Sequence, residues 1–462
     1  MAAVNGGVSF WYAAGGVPEP GPGLPGDREV DVCVVGGGYT GLWTAYYLKK
    51  ADPSLRIAVL ERRFCGYGAS GRNGGWLYNG FAGRGAFARR YGQQRAAAMQ
   101  RVMDEAVGEV VDVTVAEGVD ADIVRGGVLE VARSKPQLER LRAFVEGERA
   151  YGEGRVELLS AKEATDRVQV AGTLGGSWSR YGARIQPAKL VRGLARVVRD
   201  LGVEVYEGTP VGAILPGNAH RKPRAVTPLG TVTADHVLRA TEGFTAGLRG
   251  EKRTWLPMNS AMVATEPLPA GFWADAGWQG REVLGDFAHA YMYAQRTADD
   301  RIALGGRGVP YRFGSRTDSD GSTQVETVRQ LRAILDRFFP AAATARIEHA
   351  WAGVLGVPRD WCATVELDRP SGLGWAGGYV GSGVTTANLA GRTLRDLVLG
   401  VETELTGLPW VGHTVRRWEP EPLRWLGVHA MYAAYHAADR QETAGRATTS
   451  PIARFADLVA GR

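Results

Sequence analysis

Cysteine is scarce: the 462 residues contain three, Cys33, Cys65 and Cys362. An odd number at those spacings excludes a disulfide framework and a cysteine-based zinc site. Lysine is also scarce, with seven among 55 basic residues, so nearly all the positive charge is Arg. That Arg is scattered among Asp and Glu. The formal charge of +6 therefore forms no basic stripe, and nucleic acid is not an expected partner. No apolar run approaches the roughly 20 residues of a membrane span. The N-terminus lacks a basic segment followed by an apolar core, so no secretory leader is expected. A cytoplasmic protein without a membrane span is the expectation. The seven His residues show no metal or triad spacing, and no metal is expected.

What is abundant is glycine, 64 residues or about one in seven, against roughly 7% in an average chain. There is no collagen period, and hydrophobic residues make up 45%, so the chain is globular. Its length suggests two or three interleaved domains. A Pro- and Gly-rich lead-in from Gly15 to Gly26 ends before the first strand.

Residues 30–35, Val-Asp-Val-Cys-Val-Val, read as a strand. Gly36-Gly37-Gly38-Tyr39-Thr40-Gly41 follows, then a helix from Leu42 to Lys50 and a strand from Ile57 to Leu60 that ends at Glu61. Gly36 permits the tight turn, Gly38 the approach of a pyrophosphate, and Gly41 close packing of helix on strand. The helix N-terminus offers free N–H groups to the phosphates. Glu61, twenty residues after Gly41, can accept hydrogen bonds from a ribose diol, and its charge opposes a 2′-phosphate. The unit predicts dinucleotide binding. A second Gly-rich loop, Gly68-Ala69-Ser70-Gly71-Arg72-Asn73-Gly74-Gly75, stands where an NAD domain would continue to a helix and strand. It suits a longer cofactor or an ordinary surface loop.

Further along stand Ala240-Thr241-Glu242-Gly243, Trp351-Ala352-Gly353 and Gly377 to Thr386. With these pieces in this order the chain resembles the FAD-dependent oxidoreductases of the D-amino-acid oxidase (DAO) superfamily. Within it, the chain is similar to the branch of gamma-glutamylputrescine oxidoreductase and related amine oxidases. The resemblance implies an α/β fold: a Rossmann-type FAD-binding domain (a glutathione-reductase-like half) with an α+β substrate domain on an antiparallel sheet. The expected division is 1–85, 155–250 and 345–405 for FAD, 86–154 and 251–344 for substrate, and 406–462 as a C-terminal extension on the core. That extension caps the fold or forms a dimer contact, so a homo-oligomer is one expectation.

By the resemblance, Arg62, the backbone at Val211, and Thr241 also meet the cofactor. Gly381, Ser382, Gly383, Val384 and Thr385 open a helix whose N-terminus faces the flavin N1 and C2 carbonyl. Many relatives carry Asn at the place of Glu242, and a carboxylate there would be repelled by phosphate. Trp351 stands where the sarcosine-oxidase branch has its flavin-linking Cys, so noncovalent FAD is expected. Leu355 stands where glycine-oxidase-like relatives have an Arg for the substrate carboxylate, and Ala303 where a Lys assists oxygen reduction. The acceptor is O2 or another compound.

Residues 291–307 alternate around Asp299-Asp300 and predict a hairpin, which by the resemblance belongs to an antiparallel sheet over the flavin. Tyr293, Arg296, Arg307 and Trp351 are pocket candidates, and His289 is the histidine nearest the expected pocket. No general base is assigned. The implied activity is oxidation of a primary or secondary amine to an imine by hydride transfer to flavin N5, then hydrolysis to a carbonyl. The alternatives are an oxidase or dehydrogenase of amino acids or N-methyl amino acids, in the manner of natural-product tailoring, and a non-catalytic flavin-binding protein.

Overall fold

The computed structural model describes residues 3–306, 311–317, 320–453 and 456. The run at 30–35 belongs to the strand Arg28–Val35. It is paired in parallel by Ile57–Leu60 on one side and Gly230–Arg239 on the other. Glu204–Tyr206 extends the sheet beyond 57–60, and Leu373–Gly377 pairs in parallel with the end of 230–239. Both faces of the central strand are covered, which is why its apolar residues run almost without interruption. Val32 and Val34 pack with Leu42, Trp43, Leu190 and Leu194, whereas Cys33 and Val35 pack with Ala225 and Val237.

Two helices flank the first face, Tyr39–Ala51 and Gly383–Leu399. Gly391 brings them together: a Cβ there would lie 2.8 Å from the Trp43 backbone. A third helix spans Pro187–Asp200, with Pro at its start and the Gln186 side chain accepting from Lys189 N–H.

The second sheet has nine strands. In spatial order they are Val4–Asn5, Ile347–Val357, Leu256–Thr265, Ile302–Gly306, Tyr293–Arg296, Val283–Asp286, Val128–Ala132, Gly175–Ser179 and Glu157–Ser160. The expected hairpin is present, with Tyr293–Arg296 antiparallel to Ile302–Gly306. The sheet is mixed rather than wholly antiparallel: 283–286 runs parallel to 128–132, and 4–5 parallel to 347–357.

The expected domain limits need correction here. Residues 157–160, 175–179 and 347–357 were placed with the nucleotide half, yet all pair in this second sheet. Conversely, the helix Gln93–Ala116 packs its Met99, Met103 and Val110 into the core around the first sheet. Apolar alternation marks a strand or helix but does not name its partner.

One face of the nine-stranded sheet packs Met262, Ala303, Trp351 and Tyr293 with Phe64, Ala188, Trp11 and Tyr12. The other packs Leu129, Leu284, Ala294 and Leu304 with Leu331 and Leu335 of the helix Val325–Phe338. The C-terminal helix Leu423–Thr443 lays Val428 and Tyr432 on Leu256, Met258 and Trp418. Among the described residues no helix is long and apolar enough to cross a membrane.

Candidate active site

The cleft begins where Arg28–Val35 turns into Tyr39–Ala51. Gly36 holds φ +116°, and a Cβ there would lie 2.5 Å from Ala240 O. A Cβ on Gly38 would lie 2.9 Å from Ser70 Oγ, and one on Gly41 would overlap Gly36 O. The three glycines thus do different work: Gly36 sets the turn, Gly38 leaves the backbone open, and Gly41 seats the helix. Ser70 Oγ accepts from Tyr39 N–H at 2.8 Å, which ties the second Gly-rich loop to the helix start. Asn73 braces that loop, donating to Ser70 O at 2.9 Å and accepting from Gly75 N–H at 2.8 Å.

Gly36, Gly38, Tyr39, Thr40, Glu61, Arg62, Ser70 and Asn73 line the cleft. So do Val211, Thr241, Gly381, Gly383 and Val384. At one end Glu61 accepts from Gly37 N–H at 2.8 Å and Arg63 N–H at 2.9 Å. Burial pushes its carboxyl upward, opposed by those N–H groups. Toward the other end, the N-terminus of Gly383–Leu399 opens on the cleft. Two helix N-termini therefore face one space, and both favour negative charge there.

Glu242 lines this cleft, and its carboxylate is tied to the backbone of the turn at 378–379. It accepts from Gly378 N–H at 2.8 Å and Tyr379 N–H at 3.1 Å. Burial raises its carboxyl to about 7, against the pull of those donors and of Arg239. Its backbone is left-handed, φ +43°. The sequence reading found no work for this acid, because its partners lie more than a hundred residues away.

The remaining predicted cofactor residues, among them Arg72, Gly74, Gly75, Ser382 and Thr385, flank the lining rather than form part of it. Arg72 is buried and braces the loop against the second sheet. Its Nε donates to Tyr67 O at 2.8 Å, its Nη1 to Ala352 O at 3.3 Å, and its guanidinium stacks 4.4 Å over the Tyr67 ring. A buried guanidinium needs acceptors, and backbone carbonyls supply them here. Gly74 lets Tyr293 close in, since a Cβ would lie 2.7 Å from its ring. Gly75 holds φ +70° beside Gln295. Ser382 Oγ meets Tyr78 OH at 2.7 Å, and Thr385 is buried in the first helical turn.

Of the pocket candidates, Tyr293 is half-buried, its OH 2.8 Å from Ser260 Oγ and its ring edge-on to Trp76. Arg296 is a correction. Three residues on, it points from the opposite sheet face, paired with Asp300 at 2.7 Å and stacked 4.1 Å over Trp273. Trp351 is also a correction: it is fully buried, edge-on to Trp11, and donates to Arg72 O at 2.8 Å. Arg307 lies outside the described residues. His289 contacts Glu442 at 3.0 Å, away from the cleft. Trp76 and Tyr78, on a short strand that carries no strong pattern in sequence, contact Tyr293 and Ser382 respectively. Leu355 lines the cleft against Gly381, within 3.7 Å of a Cβ there.

The glycine cradle, the two helix N-termini and the acid at the far end fit an extended dinucleotide. Comparisons agree. Residues 31–397 match the family DAO, FAD dependent oxidoreductase. A gamma-glutamylputrescine oxidoreductase of Escherichia coli (strain K12) is 31% identical over 85% of this chain and 89% of its own. A glycine oxidase of Bacillus licheniformis is 27% identical over 82% of this chain and 95% of its own. Among solved structures, glycine oxidase from Geobacillus kaustophilus shares the fold with a TM-score of 0.66 at 21% identity, covering 84% of this chain and all of that one. L-proline dehydrogenase from P. horikoshii does so with a TM-score of 0.67 at 20% identity, covering 83% and 96%. Matched along most of its length to that family and to a relative above 30% identity, the chain belongs to the DAO family of FAD-dependent oxidoreductases.

Proposed function

We propose that this enzyme oxidises a C–N bond of a primary or secondary amine to an imine, which water converts to a carbonyl compound, with FAD held noncovalently. The observation that carries the choice of amine is the wall at Gly381. Leu355 occupies it, and the Arg residues among the described cleft lining, Arg62 and Arg63, adjoin Glu61 in sequence. An α-carboxylate beside Leu355 would be buried without a neighbouring cation among the described lining residues, which is costly. The 31% relative, named for gamma-glutamylputrescine, supports the same reading.

FAD bound in the cleft supplies a two-electron acceptor. The chain supplies the rest. The first N–H groups of Gly383–Leu399 and the helix dipole stabilise negative charge at the end they face, without reorganisation. Glu242 fixes the turn that leads into that helix, and Leu355 and Val354 exclude water beside it. A substrate amine bound neutral needs no side-chain base. Three buried free thiols suit action in the reducing cytoplasm.

The test is anaerobic mixing of the holoenzyme with polyamines, D-amino acids and N-methyl amino acids, following loss of the yellow flavin band. Bleaching by amines without an α-carboxylate is expected. Bleaching confined to α-amino acids overturns the choice of amine, and bleaching by none of them overturns catalysis.

A further inference from the structure

One register row crosses five strands of the large sheet and carries Glu130, Gly285, Tyr293, Gly305 and Met262 in turn. Gly285 contributes no side chain between Tyr293 and Glu130, and the Trp76 ring lies over the gap. A Cβ at 285 would be 3.1 Å from Trp76 Cη2 and 3.6 Å from Glu130 Cγ. Trp76 meets Tyr78 edge-on at 5.7 Å and Tyr293 at 6.3 Å. Tyr78 in turn bonds Ser382 at the start of the helix that opens on the cofactor cleft. Glu130, Trp76 and Tyr78, each half-buried, thus form a line of contacts that ends at the helix opening on the cleft.

Charge around Glu130 is unbalanced. Among the described residues the Glu130 carboxylate has no hydrogen bond and no ion pair. The charges that act on it are Asp286 and Glu148, both negative, and Arg84. Arg84 is already committed to Glu148 and to Gln100 Oε1. A half-buried carboxylate in this setting carries a desolvation cost that a ligand cation would remove, and the aromatic rings beside it offer faces to the same cation.

We propose that Glu130, flanked by Trp76 and Tyr78, holds a second cationic group at the far end of the substrate, so that the preferred amine is a dication such as an aliphatic diamine. This rests on the amine-oxidation reading above. Two strand spacings, roughly 10 Å, separate Glu130 from Tyr293, which suits an extended chain between the two nitrogens.

The experiment compares anaerobic flavin bleaching by an aliphatic diamine and by the monoamine of equal length. The wild-type holoenzyme favours the diamine at least tenfold in kcat/KM. In Glu130→Gln that ratio falls at least tenfold, and in Glu130→Asp it is partly restored. Flavin content reports whether each variant holds its cofactor, and should Glu130→Gln lose FAD, the wild-type preference and Glu130→Asp decide. A diquaternary alkylammonium salt, which cannot form an imine, provides a second readout. It perturbs the flavin spectrum of wild type, and about ten times more is needed in the variant. No wild-type preference for the diamine, or a ratio indifferent to residue 130, overturns the proposal while leaving amine oxidation standing. Glu130-dependent binding of the salt without bleaching by any amine upholds the cation site and overturns amine oxidation.

Discussion

Glu61 and Glu242 do the same work on different parts of one cleft, and the sequence announces only one of them. Each is a carboxylate that accepts two backbone N–H groups, at least one of them from a Gly-rich turn: Glu61 from Gly37 and Arg63, Glu242 from Gly378 and Tyr379. Burial raises both. Glu61 closes a local strand–turn–helix–strand unit and lies twenty-four residues from its Gly37 partner. Glu242 spans 136 residues to Gly378 and holds the approach to the helix that faces the reacting end. We expect the carboxylate that stitches a turn within one unit to govern whether the cofactor is held, and the one that stitches two distant segments to govern what the cofactor meets.

The harshest way to break the comparison is to destroy the Glu61 side outright. Gly36→Val puts a branched side chain against Ala240 O at a left-handed φ. We expect a flavin-free protein destabilised by about 3 kcal/mol or more, read from the flavin-to-protein absorbance ratio and thermal melting. Glu61→Gln is milder, because the amide keeps one of two acceptors. FAD affinity should fall roughly tenfold, about 1.4 kcal/mol, in titration of the apoprotein, with the potential of bound flavin unchanged.

Glu242→Gln should show the converse: a smaller loss of FAD and, above pH 7 where Glu242 is ionised, a more positive flavin potential, because a negative charge leaves that end. A pH test separates the two acids further. In the fold Glu242 titrates at about 7 rather than its ordinary 4.5, so the folded protein keeps a proton that the unfolded chain has released. Its share of stability is therefore fully present below the ordinary value and is lost as pH rises toward 7. Glu130 and Asp286, also raised to about 7, slope the same way. Melting across this window should show a downward slope with rising pH that Glu242→Gln makes shallower; an unchanged slope removes Glu242 from the account. The smallest effect belongs to Tyr78→Phe, which loses the bond to Ser382 Oγ. About 1 kcal/mol of stability and a few-fold in bleaching rate, without loss of FAD, are expected.

The glycine-rich turns and the acid at 61 were legible because each requirement is local: a positive φ, a close approach, an acceptor at the end of the next strand. The hairpin at 293–306 was legible from alternation and its Asp-Asp turn. Arg72 was misread because its neighbours in sequence suggest a cofactor loop, whereas its side chain serves Tyr67 O and Ala352 O, the second 280 residues away. Arg296 was misread because chemistry was weighed without parity: Tyr293 and Arg296 share a strand but not a face. Trp351 and the strand around it were assigned to the wrong sheet, since an apolar strand does not encode its neighbour.

That strand has a further consequence. Ile347–Val357 lies inside the large sheet between Val4–Asn5 and Leu256–Thr265 and closes a run of large-sheet strands that begins at 256, while the chain before and after that run, at 230–239 and 373–399, serves the first sheet. The polypeptide is thus woven between its two halves rather than joined by a hinge. Neither half is a cassette that can be cut out, exchanged or evolved alone, and recombination between relatives would have to respect the weave instead of the boundary between cofactor and substrate.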